Sequence, residues 1–377
     1  MKIAVLGNQA RGMVNFWSVL LDGMRAAGHT PLCIVPDGDE AVWNEELRAR
    51  GLTVRHYPLD RKGLNPVRDM RTAAALWRIF REERPDALFA FTIKPVIYGC
   101  LAARLAGVPN IFATITGLGY TFEADNLFKQ CVNKAAVLLY RMALAGARTV
   151  FFQNEEDRQV FASAGILKAG ASVAMCRGTG VDIAHFSPAE PVLEPPTFLL
   201  VGRLLEAKGL PEYAAAAHML KARYPHARFQ VLGPPEQGLG SVPLERVRAW
   251  QDAGDIEYLG QTFDVRPFVA AAGVMVLPSW REGTPCSIME GMSMGRAAVV
   301  TDAPGCREVV ADGVNGFRVP LRDAAALAEA MERFIKDPSL IRSMGEAGRR
   351  MAEQEFDARK VAAHILAVMG AGGKNDQ

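Results

Sequence analysis

The sequence predicts an α/β protein with two doubly wound, Rossmann-like domains that face each other across a cleft. At 377 residues the chain exceeds one ordinary core, so two domains of about 180 residues each are expected. Short apolar strands alternate with amphipathic helices in both halves. Prolines cluster at positions 188, 191, 195 and 196, a composition typical of a linker. We therefore assign 1–185 and 197–355 to the two domains, 186–196 to the linker, and 356–377 to a C-terminal helix crossing back onto the first domain, with a tail.

Charge and hydropathy restrict the class of protein further. The net charge of +2 argues against nucleic acid or another polyanion as partner. Residues 1–182 carry 22 Lys/Arg against 17 Asp/Glu, whereas the remainder carries 21 against 24. This mildly basic first half fits contact with a membrane surface. Because no apolar run reaches the roughly 18 residues of a membrane span and no signal peptide is evident, we expect a cytoplasmic protein.

The first domain opens with a strand at 2–6 and a glycine-containing turn before a helix at about 14–27. The turn lacks the GxGxxG spacing, which argues against a dinucleotide site. Gly7 and Gly12 either let a substrate diphosphate approach the backbone closely or simply allow tight packing. Asn8, between them, is a candidate ligand-binding residue.

Two later strand ends of this domain offer further ligand-binding candidates. Lys94 follows the strand at 86–91, at the edge where open α/β sheets bind ligands, although a solvated lysine is the alternative. The strand at 111–115 leads into an apolar, glycine-containing lip. Its candidate residues are Thr116, Gly117, Leu118 and Gly119. The amphipathic helix predicted at 126–144 serves either core packing or a membrane surface.

In the second domain, two cations flank the first strand-to-helix passage. Gly202 and Arg203 follow a strand at 197–201, and Lys208 lies five residues beyond Arg203. Both cations lie close to a helix N-terminus, where a diphosphate would be stabilised. The alternative is that they pair with surface carboxylates such as Glu206.

The stretch from Val274 to Gly305 reads as strand, helix, strand. Glu282 lies in the loop before a helix that begins near Ser287, and Glu290, eight residues on, lies one turn inside it. A glycine-led helix entry suits phosphate, and a carboxylate one turn in suits vicinal hydroxyls, so the pattern fits a nucleotide sugar. The alternative is two solvated charges. The candidate donor-binding residues of the entry are Gly283, Thr284, Pro285, Cys286 and Ser287.

Other chemistries find little support in the sequence. The histidines are dispersed, and the nearest acidic pair, Asp37 and Asp39, reads as a solvated turn, so we expect no metal. No G-x-S-x-G elbow is present, and Cys286 has no nearby histidine, which argues against a Ser or Cys hydrolase.

Together these motifs resemble retaining glycosyltransferases of family four, which have the GT-B fold, along nearly the whole chain. Within that family, Phe91–Pro95 and Thr114–Tyr120 resemble a PglA-like bacterial subgroup that extends undecaprenyl-diphosphate-linked sugars, often with an N-acetylhexosamine. The wider resemblance rests on the Gly7–Gly12 turn with Gly28-His29, Thr116–Gly119, Gly178–Asp182, Gly202–Gly209, Glu282–Glu290 and Asp302–Gly305.

The resemblance implies a metal-independent hexosyltransferase that needs no cofactor and works on the inner face of the plasma membrane, attached through its first domain. The second domain would bind a UDP-sugar, and the first would bind a polyprenyl-diphosphate-linked saccharide. The acceptor-binding residues would be the candidates of the first domain, Asn8, Lys94, Thr116, Gly117, Leu118 and Gly119. Arg203 and Lys208 would hold the leaving diphosphate. Glu290 would bind the ribose hydroxyls and Glu282 the donor sugar, with retention of anomeric configuration. No carboxylate pair suggests a covalent double displacement, so departure from the front face is favoured.

The chain also departs from the family pattern. Many members carry a histidine beside the donor sugar, but the stretch 111–122 has none. Thr114, Thr116 or the backbone near Gly117 would fill that space. Phe16-Trp17 replaces the usual Phe-Arg pair of the first helix, which implies different acceptor recognition. Two alternatives therefore remain: a transferase with a soluble or other glycolipid acceptor, and a nucleotide-binding GT-B protein without transfer activity.

Overall fold

The computed structural model describes residues 1–38, 41–61, 63, 65–118, 127–168, 170–238 and 240–372. They form two compact units. Unit 1 comprises Met1–Thr179 together with the C-terminal stretch from Ala358, and unit 2 comprises Gly180–Asp357. Each unit is built on one parallel sheet covered by helices, which confirms the predicted α/β class and the two Rossmann-like domains.

Unit 1 contains a seven-stranded parallel sheet in the order β3-β2-β1-β4-β5-β6-β7. Its central strands are apolar on both faces, as expected for a sheet covered on both sides. The strands are β1 Lys2–Leu6, β2 Thr30–Pro36, β3 Thr53–Tyr57, β4 Ala87–Phe91, β5 Asn110–Ile115, β6 Thr149–Phe152 and β7 Val173–Met175.

Helices cover both faces of this sheet. Those of unit 1 up to its last strand are α1 Ala10–Ala26, α2 Ala41–Ala49, α3 Pro66–Glu83, α4 Cys100–Ala106, which continues from a π-helical turn Pro95–Gly99, α5 Leu127–Leu144 and α6 Glu155–Ser163. The boundaries of α3 have a clear chemical cause. Asn65 accepts hydrogen bonds from the N–H groups of Val67 and Arg68 at its start, and Arg84 ends it in the left-handed conformation.

The C-terminal helix Ala358–Met369 belongs to unit 1. It packs on α1, where Ile365 and Leu366 share a core with Leu20 and Leu21. Gly23 faces Leu366 in this contact, and a Cβ there would lie at an ordinary contact distance, 3.4 Å, from a methyl group of Leu366. The sequence places the start of this segment at 356, two residues before the division between the units.

Unit 2 contains a six-stranded parallel sheet in the order β10-β9-β8-β11-β12-β13. Its strands are β8 Thr197–Val201, β9 Arg228–Leu232, β10 Glu257–Tyr258, β11 Val274–Leu277, β12 Ala297–Thr301 and β13 Gly316–Val319. Its helices are α7 Leu210–Lys221, α8 Leu244–Asp252, α9 Arg266–Ala270, α10 Cys286–Ser293, α11 Ala324–Lys336 and α12 Ser339–Met351; the C-terminal helix of unit 1 is α13.

The proline-rich stretch 186–196 is part of unit 2 and does not mark the division between the units, which falls at Thr179–Gly180. The cause is Arg296, whose fully buried guanidinium donates to the carbonyl oxygens of Ala189 at 2.7 Å and Glu190 at 3.3 Å. Burial lowers the pKa of Arg296 to about 10, so it stays charged at neutral pH. Prolines prevent regular structure here, but the arginine fixes the segment to the body of unit 2.

Candidate active site

The strand order of unit 2 reverses between β8 and β11, and the predicted donor residues lie in the loops after these two strands. Open α/β sheets bind ligands at such a switch point, outside the carboxyl ends of the strands. The loop after β8 carries Arg203 and Lys208, and the loop after β11 carries Glu282. Residues that are far apart in sequence are thereby brought to the same edge of the sheet.

Lys208 and Glu282 form an ion pair between the two loops. The Lys208 Nζ lies 2.5 Å from the Glu282 Oε1, and both side chains are mostly buried. The same oxygen accepts a hydrogen bond of 2.6 Å from the hydroxyl of Ser279. Two donors on one oxygen fix the orientation of this carboxylate.

Ser279 is itself fully buried, and a side chain of the neighbouring strand β12 holds its backbone in place. Its carbonyl oxygen accepts a hydrogen bond from the Thr301 hydroxyl at the end of β12. Ser279 belongs to none of the motifs that predicted the site. Its position directly after Pro278, at the carboxyl end of a central strand, was the available signal.

Glycines allow the two loops to approach. Lys208 ends a 3₁₀ turn, Glu206–Lys208, and Gly209 follows with φ 71°. A Cβ at Gly209 would lie 2.1 Å from the carbonyl oxygen of Pro278, so the left-handed conformation and the close contact both require glycine. The Trp280 N–H then donates to the carbonyl of Ala207 at 2.9 Å.

Arg203 pairs with Glu236, a carboxylate 33 residues further along the chain. Its guanidinium lies 2.9 Å from Glu236, and its side chain is 54% exposed. Glu206, the partner named as the alternative, instead lies 4.0 Å from Arg246. Arg203 therefore presents most of its surface to solvent, unlike Lys208, and Gly202 lies beside the stem of Lys208.

The predicted helix entry after Glu282 is confirmed, one residue earlier than expected, because α10 begins at Cys286. Gly283, Thr284 and Pro285 are buried, whereas Cys286, Ser287 and Glu290 are partly exposed. The Thr284 hydroxyl is buried without a hydrogen-bond partner in the part of the chain that the structure describes. An orphaned hydroxyl ahead of a helix N-terminus suits a ligand that brings acceptor oxygens.

A second loop supports this entry. The Glu282 N–H donates to the carbonyl of Pro304 at 2.9 Å. Gly305, with φ 85°, lies so close that a Cβ there would be 2.4 Å from the carbonyl oxygen of Glu282. Burial, together with the charge of Glu282, raises the pKa of the neighbouring Cys306 thiol and keeps it neutral. The Asp302–Gly305 motif therefore supports the backbone of the Glu282 loop.

In unit 1, the Gly7 backbone is occupied by packing contacts. Its N–H donates to the carbonyl of Ile34 at 3.2 Å, and its carbonyl accepts from the Tyr57 hydroxyl at 2.8 Å. A Cβ would lie 2.5 Å from the Phe91 ring. Packing thus accounts for the glycine, and diphosphate binding there stays a prediction. So do the donor role of Gly12, in α1, and the acceptor role of Asn8, just before α1.

Lys94 has a structural role, which corrects both interpretations offered from the sequence. Its side chain is only 15% exposed, and its Nζ lies 2.7 Å from Asp69 Oδ1. It also donates to the carbonyls of Asp60 and Gly63, each at 2.7 Å. These three contacts use the three N–H donors of the ammonium group, so none is left for an acceptor substrate. The sequence could not show that α3 supplies the carboxylate.

The apolar lip after β5 is described only in part. Thr116 and Gly117 are partly exposed and Leu118 is buried, whereas Gly119 and the following Tyr120–Asn126 lie outside the described residues. Thr114 is fully buried, with its hydroxyl unpartnered among those residues. Of the two threonines named as replacements for the family histidine, Thr116 is therefore the more accessible to a ligand.

Comparisons with known proteins agree with this arrangement. A family model described as "Glycosyl transferase 4-like domain" matches residues 11–173, and a second model, described as "Glycosyl transferases group 1", matches residues 195–337. With its two Rossmann-like domains and its cation-and-carboxylate cluster at the switch point, the chain is a GT-B glycosyltransferase. It belongs to group 1, family four, as the resemblance indicated.

The names of two curated relatives say that these proteins act on undecaprenol-linked sugars. The chain is 25% identical, over 97% of both chains, to the N,N'-diacetylbacillosaminyl-diphospho-undecaprenol alpha-1,3-N-acetylgalactosaminyltransferase of Campylobacter jejuni. It is 26% identical, over 74% of both, to the UDP-Gal:alpha-D-GlcNAc-diphosphoundecaprenol alpha-1,3-galactosyltransferase of Escherichia coli. These relatives support a role in bacterial glycan assembly.

Solved structures share the fold along the whole chain. Sucrose-phosphate synthase from Thermosynechococcus elongatus superposes with a TM-score of 0.79 at 17% identity, covering 98% of each chain. HepE from Anabaena, in complex with UDP and glucose, gives 0.78 at 19% identity, covering 98% of this chain and 99% of HepE. The shared GT-B fold is thereby established.

Proposed function

We propose that this glycosyltransferase moves an N-acetylhexosamine from a UDP-sugar to a polyprenyl-diphosphate-linked saccharide, with retention of configuration. The observation that carries the proposal is the cluster of Lys208, Glu282 and Ser279 at the switch point of unit 2. It combines a cation for a diphosphate with an oriented carboxylate for sugar hydroxyls. The names of the two curated relatives support the lipid-linked acceptor.

Different residues of unit 2 bind different parts of the donor. Two cations stabilise the leaving diphosphate without a metal ion. One is Lys208, and the other is Arg203, which is exposed and binds Glu236 through one guanidinium nitrogen. Thr284 and the first turn of α10 meet the phosphates and sugar, and Glu290 accepts hydrogen bonds from the ribose hydroxyls. The acceptor hydroxyl gives its proton to the departing phosphate oxygen while its own oxygen bonds to the anomeric carbon on the same face.

Unit 1 then binds the acceptor, with Asn8, Thr116, Gly117, Leu118 and Gly119 as its remaining predicted contacts. None of the helices in the described part of the chain combines the length and the hydropathy of a membrane-spanning segment. We propose peripheral attachment to the cytoplasmic face of the plasma membrane, where a polyprenyl-diphosphate acceptor would be met.

A donor screen tests this proposal. Purified protein is given UDP-, GDP- and ADP-sugars, with EDTA or with added Mg²⁺, with and without a short, water-soluble polyprenyl-diphosphate-sugar. We expect nucleotide release from one UDP-N-acetylhexosamine only when the acceptor is present, equally with EDTA, and a product whose NMR coupling constants show the donor's anomeric configuration. Release without the lipid acceptor would favour a soluble acceptor, and no release from any donor would favour binding alone.

Glu282→Ala tests the assignment of the carboxylate in the same assay. We expect kcat/KM to fall by at least about 100-fold, because the sugar loses its oriented acceptor group. Glu329→Ala, an exposed glutamate on α11, is the matched control and should leave turnover unchanged. Unchanged turnover in Glu282→Ala would show that the assignment is wrong.

A further inference from the structure

We propose that the outer face of α3 docks unit 1 onto an anionic lipid bilayer; this rests on the proposed function, whose acceptor is lipid-linked. Leu76, Ile79 and Phe80 turn one side of α3 into the core. The opposite side, here called the α3 face, consists of Val67, Met70, Arg71, Trp77, Arg78 and Arg81.

Large apolar side chains on this face lie open to solvent. Met70 is 64% exposed, Val67 54% and Trp77 43%. Met70, Trp77 and Arg81 fall seven and then four residues apart, which aligns them along one stripe of the helix. Contiguous exposed apolar side chains of this size usually mark an interaction surface rather than a plain solvated face.

The charges on the α3 face are cationic and available. Arg71 and Arg78 make no ion pair with any residue that the structure describes, and Arg81 lies 6.0 Å over the Trp77 ring. The three carboxylates of α3 are all engaged elsewhere. Asp69 pairs with Lys94, Glu82 with Arg55, and Glu83 with Arg55 and Lys2. An approaching anionic surface would therefore meet arginines without competing carboxylates.

The neighbouring helices extend the same character. α3, α4 and α5 cover one face of the sheet and together carry eight Lys/Arg against the three carboxylates of α3. Neither α4 nor α5 contains an acidic residue. Leu105 on α4 is 73% exposed and Leu138 on α5 is 57% exposed. The Arg104 guanidinium on α4 donates to the carbonyl of Met142 on α5 at 3.2 Å, which fixes the two helix ends together.

This chemistry matches a bilayer surface. An amphipathic helix with a tryptophan among apolar side chains inserts those groups at the level of the headgroups, while flanking arginines bind anionic headgroups. An acidic protein partner would use the arginines but would not need the apolar stripe along the whole helix. The occupant we infer is therefore a membrane leaflet rich in anionic lipid.

Vesicle sedimentation of the full chain tests the surface. Sucrose-loaded vesicles of phosphatidylcholine alone are compared with vesicles that contain about one-third phosphatidylglycerol, at low and high salt. We expect binding to the anionic vesicles, weakened by salt but not abolished, because apolar insertion adds to charge attraction. Wild-type protein that remains in the supernatant with both vesicles would overturn the proposal.

Variants place the binding on α3. Met70→Ser with Trp77→Ser, and separately Arg71→Glu with Arg78→Glu, should each weaken anionic-vesicle binding by at least about tenfold. Met219→Ser with Arg248→Glu, exposed positions on α7 and α8 of unit 2, is the matched control and should bind as wild type. Circular dichroism melting checks the fold of each variant. Folded α3 variants that bind like wild type would overturn the proposal.

Activity separates this inference from the proposed function. Transfer to the short, water-soluble acceptor should be unchanged in both α3 variants, whereas transfer to a long-chain acceptor embedded in anionic vesicles should fall. If wild type binds vesicles through α3 but transfers no sugar to either acceptor, the proposed function fails and the docking surface stands.

Discussion

Lys208 and Glu282 are 74 positions apart in sequence, yet their side chains meet at 2.5 Å at the switch point of unit 2. The pair links the loop that follows β8 to the loop that follows β11. A cation suited to a diphosphate and a carboxylate suited to sugar hydroxyls thus lie side by side. Charge that is held in place in this way is usually the largest single contribution to transition-state stabilisation.

The two cations of the site should behave differently when removed. Lys208→Met takes a mostly buried cation from a mostly buried carboxylate, so we expect both a lower melting temperature and a fall in kcat/KM of about 100-fold. Arg203→Met removes a cation that is more than half exposed, so kcat/KM should fall while the melting temperature falls less than in Lys208→Met. Steady-state kinetics with thermal melting measures both. Equal losses of melting temperature in the two variants would contradict the contrast in burial.

Ser279 should act as a positioning residue for Glu282. Ser279→Ala leaves the Lys208 ion pair but frees the carboxylate to rotate, so we expect kcat to fall about tenfold with little change in the KM for the donor. Ser293→Ala is the control. That serine is equally buried, in α10, but donates to the carbonyl of Phe186. It should lower the melting temperature and leave kcat intact, and a fall in kcat of the same size there would point to a structural effect in both.

Lys94→Met should destabilise unit 1 and leave the chemistry untouched. The change leaves Asp69 without its cation and two carbonyls without a donor, so unfolding free energy should fall by roughly 3–5 kcal/mol. Burial and the hydrogen bond to Asp69 raise the pKa of Tyr98, whose neutral hydroxyl stays as the remaining partner of that carboxylate. Denaturant melts measure the loss. A raised KM for the acceptor with unchanged stability would instead restore the substrate-binding role.

The sequence was most informative where chemistry depends on local spacing. Alternating strands and helices predicted both sheets, and the spacings from Arg203 to Lys208 and from Glu282 to Glu290 predicted two loops of one site. Which side chains pair across those loops depends on strand order, so the ion pair of Glu282 with Lys208 could not be predicted from the sequence. Lys94 was misassigned for the same reason. Its place at a strand end was correct, but the carboxylate that binds it comes from α3.

The return of the C-terminal helix to unit 1 has a consequence for synthesis on the ribosome. Unit 2 is continuous in sequence and can complete its core as soon as Asp357 has emerged, whereas unit 1 begins first and must wait for residues 358–369. Until then, Leu20, Leu21 and Met24 on α1 lack the cover that Ile365 and Leu366 provide. The half of the protein that is made first is therefore the half that finishes folding last.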